Sequence, residues 1–498
     1  MMTILHRYSI LGMVLCMATC GVHAQNVNSK RQNRAELDEF RRQTRREFND
    51  FRQQCLKEYA TFLRNPWQSH EESKPVTLPE EKPLPPTVMP DKKRKEPAED
   101  KAVTVEEVIS PIHTEPQPKP IAPIKAAKDV DGTPVEFTFY GTKAGVRFND
   151  ACRFKLNGVS ENAVANAFAT LNSDALDVTL ADCLKLRENR KLSDWAYLNM
   201  LRELANSVAG SGTNEAVLLL ACLYMQSGYK MRLASDGRRL YMLYASKHDI
   251  CNHVFYSIDG DSYYGIEKLP AQLFVCKASF PREKSLSLLV TTNQLFDESL
   301  SEVREISSEL YKDMKVSVAV NKNLLAFYES YPASIIDKNI MTQWSVYANT
   351  PLDVNVKKQI YPYLKEYIKG DSQLDAVNKL LNFVQTGFKY EYDTTVWGRE
   401  RNFFAEESLY YPYCDCEDRS ILFTRLVRDL LGLDCILIHY PRHLAAAVAF
   451  TEGEVNGDQI LLKGKKFTIA DATYINAPVG YTMPDMDNRS AKVILLEK

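Results

Sequence analysis

The sequence predicts an α+β fold in more than one domain, and three observations carry that expectation. An order of helix, helix, strand, strand occurs between residues 192 and 245 and recurs between 374 and 450. A proline-dense stretch stands apart from both. The composition, 45% apolar and 25% charged over 498 residues, is globular and suffices for two or three cores. A net charge of −2 gives no bulk pull toward nucleic acid or an anionic membrane surface. Neither a GxxxxGK[ST] loop nor an HExxH helix is present, which excludes a P-loop NTPase and a zincin.

Residues 1–24 read as a signal peptide. His6 and Arg7 precede an apolar run from Ile10 to Val22, and Val22-His23-Ala24 forms a small-residue cleavage site. This implies export to the periplasm or cell envelope. A second reading makes Cys20 the lipidated residue of a lipoprotein. Nine cysteines follow residue 24, an odd number, so at least one thiol is unpaired within the monomer.

Residues 25–66 read as one amphipathic helix. Leu37, Phe40, Thr44, Phe48, Phe51, Cys55, Tyr59 and Phe62 recur in steps of three and four, a stripe suited to docking or self-association. Residues 67–128 read as a Pro-rich linker. Thirteen of the 23 prolines lie between Pro66 and Pro123, so an extended spacer with few contacts and easy proteolysis is expected there.

The globular remainder divides into 129–285, an intervening β-containing segment 286–350, and 351–498. In the first part, Val135–Tyr140 reads as a strand, and helices over 192–208 and 213–227 precede strands at 230–234 and 240–245. Val316–Val320 and Trp344–Ala348 read as strands of the intervening segment. Helices over 374–386 and 417–431 then precede strands at 435–439 and 444–450. Shifting the first half by 204 positions brings Gly228 onto Gly432, which suggests an internal duplication. The same shift puts Gly212 opposite Cys416, and Arg239, or Leu240 after a one-residue slip, opposite His443.

The chemistry concentrates between Tyr410 and Tyr474. Cys416 begins a helix, where unpaired N–H groups and the positive dipole end favour a thiolate. Asp415, Glu417 and Asp418 surround it and oppose that effect. His443 follows 27 residues later and Asp471 a further 28, each at one end of a strand-like run. A thiol nucleophile, an imidazole base and an orienting carboxylate are the groups that acyl transfer requires. Trp397, Tyr411 and Tyr413 are candidates for a second oxyanion donor beside the Cys416 N–H. A zinc site from Cys414, Cys416, His439 and His443 fails on geometry, because the two histidines in extended chain would lie about 13 Å apart. No metal and no cofactor is expected.

The residues Asp415-Cys416-Glu417-Asp418, Pro441-Arg442-His443 with the apolar strand behind it, and Ala470-Asp471-Ala472-Thr473-Tyr474 resemble the transglutaminase-like superfamily, in particular its bacterial exported cysteine peptidases. The resemblance covers about residues 370–480. It implies a papain-like core, with Cys416 as nucleophile, His443 as base and Asp471 orienting the imidazole. Cys414, Arg442 and Ala472 depart from the glycine, glycine and proline usual at those places. On this basis 351–498 is expected to be a catalytic transglutaminase-like domain and 129–285 a degenerate copy without the triad. The implied activity is hydrolysis of an amide or peptide bond in a protein or peptide substrate, with a cell-envelope component as one candidate. The alternative is a non-catalytic binding module of the same fold, holding an envelope polypeptide or glycan.

Overall fold

The computed structural model describes residues 27–79, 82–111, 115–122, 124 and 132–497; the signal peptide and Cys20 lie outside them. The chain divides into two compact units at Cys55/Leu56. Helix α1 (Val27–Leu63) runs through this division. In the first unit Leu37 and Phe40 are exposed. In the second, Leu56, Tyr59 and Leu63 are buried, with the Tyr59 ring 5.1 Å from Phe168. Phe62, expected on the buried stripe, is exposed, so the docked face is rotated by one residue onto Leu63.

The second unit is mixed α and β. Its Pro-rich stretch forms four short strands: β1 (Gln68–Glu71), β2 (Thr87–Val88), β3 (Asp100–Thr104) and β4 (Glu107–Ile109). In the first half, helices α2 (Asp194–Ala209) and α3 (Asn214–Gln226) begin at Ser193 and Thr213, whose hydroxyls accept the N–H groups of Ala196 and Ala216. Strands β5 (Met231–Ser235), β6 (Leu240–Ala245), β7 (Tyr256–Ile258), β8 (Asp261–Gly265) and β9 (Gln272–Val275) follow.

In the second half, a helix at Thr342–Asn349 (α4) precedes α5 (Gln373–Thr386) and α6 (Cys416–Leu431). Gly432 stops α6 in a left-handed conformation, φ 68°, that suits glycine. Strands β10 (Asp434–Tyr440), β11 (His443–Ala449), β12 (Gly457–Leu462), β13 (Lys465–Ala470), β14 (Tyr474–Ile475) and β15 (Lys492–Leu495) complete this half.

The first sheet has the order β1-β9-β5-β6-β8-β7 and the second β3-β12-β13-β11-β10-β15-β4. Strand β14 belongs to neither and pairs with β2. Without the strands lent by the Pro-rich stretch, and counting sheet strands along each half, both read fifth, first, second, fourth, third. All four pairings within each set are antiparallel. Each set also follows a packed helix pair, α2 with α3 and α5 with α6, although two short helices intervene between the members of the second pair. In the second sheet one face supplies Ile436, Ile438, Ala445, Ala447, Ile469 and Val493 to a common core, the period-two pattern of a half-buried strand set.

Two expectations fail. The Pro-rich stretch is not a contact-free spacer: it edges both sheets, with β1 antiparallel on β9, β3 parallel on β12, and β4 parallel on β15. Its described prolines fall outside these strands, where no ladder donor is needed, so proline density marked the joints and not the whole stretch. Trp344–Ala348, expected as a strand, lies in helix α4. Ser345 through Ala348 are all buried, and a segment buried all round carries no periodicity to separate helix from strand.

Candidate functional site

Cys416 is the first residue of α6, which packs on β11. The Ser420 hydroxyl, one turn along, donates to the Leu444 carbonyl at 2.9 Å and fixes the helix against the start of that strand. His443 opens β11, and Asp471 directly follows the last residue of β13, paired with β11 through Ala446 and Ala470. The fold thus brings together two strand ends and one helix start. Cys416, His443 and Asp471 are each 2% exposed.

His443 Nε2 lies 2.8 Å from Asp471 Oδ2. The other carboxylate oxygen accepts the N–H groups of Thr473 (2.8 Å) and Tyr474 (3.3 Å), so the carboxylate cannot rotate without losing them. Such a carboxylate places the imidazole proton on Nε2 and leaves Nδ1 with its lone pair. His443 Nδ1 has no hydrogen-bond partner among the described residues. No hydrogen bond joins the thiol to the imidazole among the described residues: the Cys416 thiol donates to Glu417 Oε2 at 3.0 Å.

The electrostatics explain the neutral thiol. Burial, then the charges of Glu417 and Asp415, push the Cys416 thiol well above its ordinary range. The Leu444 N–H, aimed at the sulfur, acts in the opposite direction. Asp415 and Asp418 are likewise held up, by burial and by the neighbouring carboxylates, and Asp393 is pushed up to about 8 by burial and Glu417. Asp418 accepts the Phe403 N–H at 2.8 Å and the Asp415 N–H at 3.4 Å, whereas the Asp415 side chain makes no cap hydrogen bond. The helix dipole is therefore outweighed at this end of α6.

Carboxylate oxygens of Asp393, Glu400, Asp415 and Glu417 lie within 4.8 Å of one another. An all-oxygen set of this kind suits a hard divalent cation. No spacing in the sequence points to it, because Asp393, at the start of a short helix, and Glu400 come from the segment before α6. His439, by contrast, stacks on Trp344 with ring centroids 5.2 Å apart.

Three functional neighbours escaped sequence reasoning: Tyr390, Gln385 and Arg419. Tyr390 is close enough to Cys416, Asp415 and Glu417 for their charges, after burial, to hold its phenol up. Gln385, 1% exposed, donates through Nε2 to the carbonyls of Asp471, Tyr474 and Ala477 and accepts the Asn476 N–H, clamping the loop that carries Asp471. Arg419, also buried, donates to the carbonyls of Gln385 and Phe388 and ties that clamp to α6. A glutamine on the apolar face of α5, between Val384 and the helix end, was the one sequence signal available. Of the three expected oxyanion candidates, Trp397 and Tyr411 pack against the Arg401 guanidinium, 4.5 and 5.4 Å from its centre, and Tyr413 pairs with Lys389 in a short parallel bridge.

At the matching place in the first half, α3 begins at Asn214, which is therefore the counterpart of Cys416 by helix start in place of Gly212. Asn214 Oδ1 accepts the Leu240 N–H at 2.9 Å. The strand starts align Leu240, and not Arg239, with His443, and the pairings Leu243–Gly265 and Ala446–Ala470 then align Ile266 with Asp471. Gly212, Leu240 and Ile266 line one small cavity. No family model matches the chain, and neither the curated proteins nor the solved structures compared with it yield a match.

Proposed function

We propose that this protein is an exported thiol acyl-transfer enzyme that hydrolyses an amide or peptide bond in a polypeptide, with a papain-like catalytic core in its second half and a non-catalytic copy in its first. The observation that carries the proposal is the buried His443–Asp471 pair with Nδ1 unengaged, at the strand whose next N–H points at the Cys416 sulfur. In the reaction, His443 Nδ1 takes the thiol proton and Cys416 attacks the acyl carbon. The imidazolium then protonates the departing amine, and water releases the acyl-enzyme through the same base. The Cys416 N–H at the helix start is one donor available to the oxyanion. Leu240 and Ile266 leave the first half without a base or an orienting acid.

The binding-module reading draws on one observation, the thiol's bond to Glu417 in place of His443. Comparing alkylation of Cys416 in the native chain and in His443→Ala, with peptide mapping, separates the two. The catalytic reading expects the Cys416 rate to fall about 100-fold on loss of the base while that of Cys435 is unchanged. Equal rates in the two proteins would favour the binding module.

A further inference from the structure

The Pro-rich stretch departs furthest from its sequence expectation at Lys82-Pro83-Leu84-Pro85-Pro86-Thr87-Val88-Met89. The Leu84 N–H donates to the Arg442 carbonyl at 3.0 Å, and Arg442 Nε donates back to the Lys82 carbonyl at 2.9 Å. The Tyr390 hydroxyl donates to the Leu84 carbonyl at 2.9 Å, and the Lys82 ammonium stands 4.6 Å over the Tyr392 ring. Downstream, β2 pairs in parallel with β14, and the Met89 N–H donates to the Ile475 carbonyl at 2.9 Å. Leu84 and Met89 pack with Tyr474, Ala477 and Met483. These partners frame the candidate site: Arg442 precedes His443, Tyr390 neighbours Cys416, and β14 follows Asp471.

We propose that residues 82–89 are an autoinhibitory strap: the chain's own extended segment occupies the groove that the site offers to an extended polypeptide substrate. This rests on the thiol acyl-transfer reading. The three catalytic candidates are each 2% exposed, and a nucleophile must come within about 3.5 Å of its carbonyl, so a cover has to leave before a polypeptide can react. The segment suits the role chemically. Pro83, Pro85 and Pro86 hold it extended with little conformational freedom to lose, and leave the Leu84 N–H as the donor among residues 83–86. Its contacts run mainly through backbone carbonyls and that N–H, groups any extended polypeptide carries, so a substrate can replace them one for one. Arg442, at a turn with φ 63°, stands where the resembling family has glycine, and its guanidinium is what grips the strap. The strap also engages the Tyr390 hydroxyl, a donor beside the nucleophile that its release would free.

The test replaces Lys82–Val88 in the full chain with seven glycine and serine residues and follows iodoacetamide alkylation by peptide mapping. Cys435, 4% exposed within β10, reports on the fold in the same sample. The expected result is a Cys416 rate at least tenfold higher, an unchanged Cys435 rate, and renewed slowing when a synthetic peptide of residues 82–90 is added. An unchanged Cys416 rate with Cys435 still protected overturns the proposal. If Cys435 reacts too, the fold has been lost, and Lys82→Ala combined with Leu84→Pro repeats the test: faster Cys416 alkylation upholds the strap and an unchanged rate overturns it. Amide hydrolysis measured alongside separates the strap from the activity it guards. Faster alkylation without Cys416-dependent hydrolysis upholds the strap and removes the catalytic reading. Cys416-dependent hydrolysis at one rate in both chains, with unchanged alkylation, removes the strap and keeps catalysis.

Discussion

Asp471→Asn tests the chemistry of the site without changing its shape. Asp471 uses Oδ2 for His443 and Oδ1 for the N–H groups of Thr473 and Tyr474. An asparagine has one acceptor oxygen. Turning its NH2 toward the two backbone donors would leave buried N–H groups unsatisfied, at a cost of about 1–3 kcal/mol each. The oxygen therefore stays with Thr473 and Tyr474, and the NH2 faces His443 Nε2. That nitrogen must now accept, so the ring proton moves to Nδ1, the position from which the base should act. The expected loss is on the order of 10⁴ in rate, about 5.5 kcal/mol of transition-state stabilisation, against a fold destabilised by only about 1–3 kcal/mol. Nitrogen-15 spectra of histidine-labelled protein read the tautomer directly and require no substrate. A native His443 already protonated at Nδ1, or an Asn variant with the native tautomer, would contradict the role given to Asp471.

Further outcomes follow from the same geometry. Cys416→Ala should lower amide hydrolysis by about 10³-fold or more while leaving the melting temperature within a few degrees; parallel loss of both would make the residue structural. Glu417→Gln removes the largest charge acting against the thiolate, so the midpoint of Cys416 alkylation should move to lower pH; an unmoved midpoint contradicts the assigned electrostatics. Gln385→Leu should cost about 2–4 kcal/mol in urea unfolding, because three carbonyls and one N–H lose their partner, and should disturb the His443 resonances; a change under about 1 kcal/mol would deny the clamp. Burial lowers the His248 imidazole to about 3, so the unfolded chain binds a proton near pH 6.5 that the folded one refuses. Its stabilising contribution is complete above pH 6.5 and is lost as the pH falls toward 3, on the order of 3 kcal/mol by pH 4.5. In His248→Gln that part of the pH dependence should vanish, and a pH profile identical to the native one would show His248 to be accessible when folded.

What the sequence made legible was whatever repeats at short range. Leu240–Ala245 was readable to the residue, and α5 and α6 to within one residue at their starts, because an apolar period and a stop or cap signal bound each. The His443–Asp471 contact was legible only through strand ends: two residues 28 apart meet because one opens β11 and the other follows β13. Contacts set by register between distant segments were not legible. Nothing in Lys82–Met89 announces Arg442 or Ile475, more than 350 residues away, since a two-residue parallel bridge and backbone carbonyls carry no side-chain pattern. The thiol's choice of Glu417 over His443 was hidden for a different reason. It depends on how far each carboxylate is desolvated, and burial of that degree is a property of the assembled site.

The two halves show how little of the scaffold the chemistry occupies. In each, the first residue of the helix faces the start of the second strand: Asn214 Oδ1 accepts the Leu240 N–H, and the Leu444 N–H lowers the Cys416 thiol against the neighbouring charges. The amide at Asn214 ties the helix start to the strand through the Leu240 N–H, a contact that needs neither base nor acid, and Leu240 and Ile266 line a small cavity beside it. In the proposed reading, a thiol in the same position serves as the nucleophile, with His443 and Asp471 supplied from the two strand ends. A shared strand order with different residues at three positions separates what holds the sheet from what the proposed site does. Substitution within the triad should therefore remove reactivity long before it removes structure, whereas changes at Gln385 or Arg419, which hold the loop and helix, should do both together.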